Sequence, residues 1–194
     1  MIKNTLYYSY LKIKYFFRIR KSRGFGIHSP FVFHLIRHII KDKHPFYVFD
    51  LLTDRFDDYS YRDVKYAKIV YRVINELEIK HVFCKSPLFA CDKLIFDNAD
   101  TQFQSLESVS EIVDGYKVIY AGDDDFKKLI DVNTVDSFRS SKTLVVLSEM
   151  YKNDEALNVF KMLKSECSVS LDMFYRAFLF FDDKLQVGSY SIKV

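Results

Sequence analysis

Several residues in this chain are of types and spacings that could do chemistry. Three consecutive acids, Asp123-Asp124-Asp125, follow the short apolar run Lys117–Ala121. Carboxylates so crowded could hold a divalent cation through oxygen ligands. The same acids serve equally as the N-cap and first turn of a helix over Asp125–Ile130. Asp97 and Asp100, in FDNADTQF, could accept hydrogen bonds from ribose hydroxyls, and that Asn/Asp cluster also reads as a solvated turn. Glu149 follows another apolar run and reads either as a site acid or as a loop acid. His34 and His38 stand four apart, which puts two imidazoles on one helix face, but no third ligand is near in sequence and a zinc-protease glutamate is missing. His28 beside Ser29 has no neighbouring carboxylate to complete a triad. Cys84, Cys91 and Cys167 are odd in number, lack a Cys-x-x-Cys spacing and read as free thiols of a reducing compartment.

These residues need elements to position them. Leu6, Tyr10, Ile13 and Phe17 recur at helical spacing within residues 4–20, and Arg23-Gly24-Phe25-Gly26 ends that helix. Ser29-Pro30 is an N-cap and first-turn pair. Phe31, Leu35 and Ile39 then line a second helix that ends near Lys43, before His44-Pro45. A short helix or turn covers 46–56, and Asp63 to Leu77 is a third strongly periodic helix. The character then changes. Lys80–Cys84, Lys93–Phe96, Lys117–Ala121 and Thr143–Leu147 are short apolar runs of the kind that make buried strands. Asp124–Ile130 and Asp154–Lys164 are helix candidates, and Val169–Phe174, Ala177–Phe181 and Tyr190–Val194 close the chain as strands. The pattern predicts an α/β fold: a Rossmann-like, mainly parallel sheet with an antiparallel C-terminal edge strand and an N-terminal helical extension. Ligands of such sheets bind at the carboxyl ends of the strands, where the acids above lie.

Charge divides the chain unevenly. Residues 1–44 carry ten Lys or Arg and one acid; the remainder carry nineteen and twenty-five. We read residues 1–45 as a basic, aromatic extension and 46–194 as a single compact α/β unit. A basic head either faces an anionic partner or packs on the acidic body. Seven Lys or Arg among residues 1–23, interleaved with Tyr and Phe, suit an anionic membrane surface or nucleic acid. The opening residues lack a secretory pattern and no apolar run is long enough to span a bilayer, so a cytoplasmic protein is expected.

Four segments carry a family resemblance. Gly26–Ile36 (GIHSPFVFHLI) resembles the G-x-HSPF-x-F stretch of a bacterial group of class I S-adenosylmethionine-dependent methyltransferase-like proteins. Tyr47–Phe56, Lys65–Phe83 and Thr143–Phe181 are similar to later blocks of that group, in the same order. The resemblance implies a methyltransferase-type sheet and S-adenosylmethionine as cofactor. A cofactor retained here would touch Ser86, Asp97 and Asp123. The departures fall in those loops. The group's E-L-G-x-x-x-G turn after the first strand is Phe83–Phe89 here, FCKSPLF, with neither acid nor glycine. No glycine occurs between Gly26 and Gly115, so the backbone lacks the usual means of close approach to a nucleotide. The group's D-G-x-H is Ala121-Gly122-Asp123-Asp124, and its D-D is Ser148-Glu149. The expectation is a methyltransferase-fold protein that has lost cofactor binding and acts as a binding or regulatory partner, of another protein or a second copy. The alternatives are an active S-adenosylmethionine-dependent methyltransferase with an atypical cofactor loop, and an anionic-surface binder acting through residues 1–23.

Overall fold

The structure, a computed structural model, describes residues 2–17, 26–54, 59–84, 90–104, 115–121 and 132–194. In chain order they form α1 (Ile2–Phe16), α2 (Pro30–His34, continued by a π-helical stretch Leu35–Ile40), α3 (Tyr47–Asp54) and α4 (Tyr61–Glu76). Then come β1 (His81–Phe83), α5 (Ala90–Asp97), β2 (Gln102–Gln104), β3 (Lys117–Ala121), α6 (Val132–Ser140) and β4 (Thr143–Ser148). α7 (Asp154–Glu166), β5 (Val169–Asp172), β6 (Arg176–Phe181) and β7 (Gly188–Ser191) complete the chain.

The protein is of the α/β class. Among the described residues seven strands form one sheet in the order β2-β1-β3-β4-β6-β5-β7. β1 to β4 are mutually parallel, β6 is antiparallel to both its neighbours, and β7 is parallel to β5. The expected reversal near the C-terminus is therefore real, but it lies inside the sheet instead of at its edge. The cause is the route of the chain. α7 carries it past the slot beside β4, β5 is laid one place further out, and a tight turn folds β6 back into the gap. β7 then covers the free side of β5.

The pleat sends alternate residues to two cores. On one face Val82, Val118, Tyr120, Leu144, Val146, Leu171, Phe178 and Phe180 meet α2, α3, α4 and α5. On the other Phe83, Ile119, Val145, Leu147, Leu179 and Phe181 meet Phe138 of α6 and Val159, Phe160 and Leu163 of α7. This is the three-layer solution of a sheet with two apolar faces. Ile27, Val32, Leu35, Ile36, Ile39 and Ile40 belong to the first core, so that stretch of the N-terminal extension is built into the body.

The local chemistry explains several boundaries. The Ser29 side chain accepts from the Val32 amide at 3.4 Å, with Pro30 as the first helical residue. Ser60 caps α4 and Asn153 caps α7 in the same way. One further expectation needs correction. Lys93–Phe96 is helix, within α5, and not a strand. Its buried residues Asp92, Ile95, Phe96 and Ala99 fall at helical spacing, a period that four residues alone do not reveal. The strand of that region is instead β2, whose QFQ sequence has no apolar run because it is an edge strand. The helix expected over Asp125–Ile130 lies outside the described residues.

Candidate functional site

Four elements bring polar side chains together at the carboxyl ends of the parallel strands. β3 supplies Tyr120, β4 supplies Ser148, β6 begins there with Arg176, and α5 points Asp92 down from above. Ser148 and Arg176 are register partners on neighbouring strands. The Arg176 guanidinium grips the Asp92 carboxylate with two parallel bonds of 2.7 Å. Asp92 is fully buried and Arg176 is 3% exposed. The Tyr120 hydroxyl donates to Asp92 at 2.7 Å and lies 3.0 Å from the Ser148 hydroxyl. The guanidinium also sits 5.7 Å from the ring centres of both Tyr66 and Tyr120. Burial raises the Tyr120 pKa well above its ordinary value, while the Arg176 charge pulls the other way. Buried charges are tolerable only when paired and hydrogen-bonded, and here both conditions are met.

A second ring of residues surrounds this cluster toward β5. Tyr66 donates to the Met173 carbonyl at 2.6 Å. Asp172 accepts from Tyr151 at 2.7 Å, from the Phe174 amide at 2.9 Å and from Ser191 at 3.3 Å. The turn between β5 and β6 is strained. Phe174 has φ of +74°, and the Tyr175 amide donates to the Met173 carbonyl across it at 3.0 Å. This is the positive-φ γ-turn, a rare conformation for any residue with a Cβ. Aromatic packing holds it. The Phe174 ring lies 5.3–5.4 Å from the rings of Tyr8, Tyr15 and Tyr151 and 4.9 Å from that of Tyr175. Tyr8 and Tyr15 belong to α1, so the N-terminal helix closes over this end of the sheet.

Of the three residues expected to touch a cofactor, Asp97 is the one within the described set. It is exposed, at the last residue of α5, instead of at a strand end. Ser86 and Asp123 lie outside the described residues. The residue that does end β2 is Gln104, a neutral amide whose buried Oε1 has no hydrogen-bond partner among the described residues. Glu149, at φ of +56°, pairs with Arg62 at 3.3 Å and Lys152 at 3.6 Å. His34 and His38 do stack, with ring centres 5.2 Å apart, but His34 is bonded to Glu76 at 2.8 Å. No group of three potential metal ligands occurs among the described residues. A small cleft of about 210 Å³ beside His38, Asp42, Arg72 and Glu76 lies toward the amino ends of the strands, since α4 feeds directly into β1.

Asp92, Tyr120 and Arg176 are not among the candidate residues read from the sequence, and Ser148 enters there only beside Glu149 as a departure from an acidic pair. The available signal was an acid within one apolar run and a base at the head of another: Asp92 in FACDKLIF, beside Lys93, and Arg176 heading RAFLFF. Opposite charges that must both be buried are each other's natural partners. Among the described residues no helix is long and apolar enough to cross a membrane. No protein-family model, curated protein or solved structure matches the chain.

Proposed function

We propose that this chain is a methyltransferase-type scaffold that has given up S-adenosylmethionine and serves as a binding or regulatory partner of another protein. The carrying observation is the closed cluster at the carboxyl ends of β3 and β4, in which Arg176 and Tyr120 both bond Asp92 and Tyr120 also bonds Ser148. That is where an open α/β sheet presents its ligand-binding groups. Here those groups are turned on one another and buried. The strand order supports the scaffold half of the reading: a reversed strand sits between the last of the consecutive parallel strands and its outer neighbour. The residues present do not fit the cofactor. The ribose hydroxyls of a nucleotide cofactor are ordinarily gripped by a carboxylate at a strand end of such a sheet, and β2 ends instead in the neutral amide of Gln104. The segment 85–89 contains no glycine to let backbone approach a ligand.

Titration of the full chain with S-adenosylmethionine and S-adenosylhomocysteine, read by calorimetry and by thermal shift, tests this. The expected result is no heat and no shift with either compound at about 1 mM. A ligand at about 100 times its Kd would add about 2.7 kcal/mol of stability, so a micromolar binder would be plain in both readouts. Micromolar affinity for either compound overturns the proposal and restores the active-enzyme alternative.

A further inference from the structure

The geometry points to α1 as an in-plane anchor that seats this protein on an anionic lipid bilayer. The helix has two apolar stripes, and among the described residues one of them packs on the end of the sheet. Tyr8, Leu11 and Tyr15, at helical spacing, face Phe174 and the end of the sheet. Tyr15 fixes the register, since its hydroxyl accepts from the Val194 amide at 3.2 Å. Tyr10, Ile13 and Phe17 repeat the same spacing on the opposite side and point into solvent, with Ile13 60% and Phe17 81% exposed. Tyr7 and Phe16 are exposed beside them. A helix apolar on both sides is ordinarily buried on both sides. Large aliphatic and aromatic side chains grouped this way mark a surface that something covers.

Charge selects what covers it. Lys12 and Lys14 flank the outward stripe on either side of the helix and are exposed. Lys14 lies 5.6 Å from the Tyr10 ring centre, and the Lys193 ammonium lies 4.6 Å from that of Phe16. Lys65 stands close enough to Lys193 that, after its own burial, that charge is the next influence lowering its pKa. The sequence continues past Phe17 as RIRKSR, and the first acid of the chain is Asp42. Apolar residues in the middle with lysines alongside is the arrangement of a helix lying at the headgroup boundary. The apolar stripe enters the acyl region, and the lysine stems carry their ammoniums up to lipid phosphates. A second copy of α1 would bring lysine against lysine with no acid to pair. A nucleic-acid backbone would meet the lysines but leave Ile13 and Phe17 without apolar contact.

The full chain mixed with vesicles of phosphatidylcholine alone, or with about one third phosphatidylserine, and separated by flotation tests the proposal. Capture by the acidic vesicles is expected, weakened by salt, with little on the neutral ones. Ile13→Asp and Phe17→Asp should each weaken capture by about tenfold or more. The pair Lys12→Gln with Lys14→Gln should remove most of the salt-sensitive part. Circular dichroism should show all these variants folded, and Phe17→Asp is the safest of them because Phe17 lies beyond the last turn of α1. Four results would each overturn the proposal. One is no capture of the wild type by acidic vesicles, and a second is capture that both aspartate variants leave intact. A third is tighter binding to a short DNA duplex than to the acidic vesicles. The last is a lipid-free dimer that Phe17→Asp dissolves.

Discussion

At the level of single residues, the Asp92–Arg176 pair carries most of the consequence. Two charges have been taken out of water, and their mutual bonds repay that cost only while both are present. Arg176→Ala should therefore lower unfolding stability by about 3–5 kcal/mol in a urea titration, because a buried carboxylate is left alone. The double change Asp92→Leu with Arg176→Met should recover a large part of that loss, since it removes the stranded charge along with its partner. A loss in the double variant equal to the sum of the single ones would mean that the two charges do not act as a pair. The cluster was hidden in the sequence for a physical reason. Asp92 and Arg176 are 84 positions apart and meet only through the sheet order. The candidate acids chosen on sequence sat beside strands as the apolar runs suggested them, and for Asp97 that run is a helix. What a strand end presents depends on where the strand is, and β2 is too short and polar to announce itself.

Elements were more legible than sites. β3, with its KVIYA sequence, and β4, with TLVVLS, are fully buried central strands, and continuous apolar runs of that length leave little alternative. The Ser29-Pro30 start of α2 was equally plain, because a hydroxyl acceptor followed by a residue with no amide suits the first turn of a helix. Ser29→Ala should cost about 1 kcal/mol by leaving the Val32 amide unpaired. The same scale holds the question of how firmly α1 is attached. Tyr15→Phe keeps the ring against Phe174 and removes both hydroxyl contacts with the Val194 backbone. It should cost about 1 kcal/mol. The loss should appear mainly as faster amide exchange in α1, with the central strands unchanged. Uniform acceleration across the sheet would show instead that α1 and the body open as one unit. The place of β6 was beyond the reach of pattern. Alternation and hydrophobicity describe a strand's faces but not its neighbours, and the neighbours here are set by a γ-turn centred on a phenylalanine.

For the whole molecule, buried protons set the behaviour in alkali. Burial pushes the Cys167 thiol from its ordinary 9.0 up to about 12. Burial likewise raises Tyr66, Tyr116 and Tyr120, the Tyr116 hydroxyl also donating to Asp182 at 2.6 Å. In each case the folded protein keeps a proton that the unfolded chain releases at lower pH. Stability should thus be flat with respect to these groups below about pH 9 and fall as pH rises beyond it. Urea midpoints at about pH 8 and about pH 10.5 should differ clearly, with the lower midpoint at the higher pH; equal midpoints would contradict the burial of these groups. The sheet order bears on how the protein is made as well as on how it stands. β5 and β6, which fill the side of the sheet beyond β4, emerge from the ribosome after all the described helices have been translated. Until then β4 keeps an open apolar edge, and α1, made well before them, has no Phe174 to dock on. The nascent chain carries the sticky basic helix from early on, and an unpaired β4 edge with it while residues 149–175 are made. Such a chain invites a chaperone or an early surface to hold it until β6 is in place.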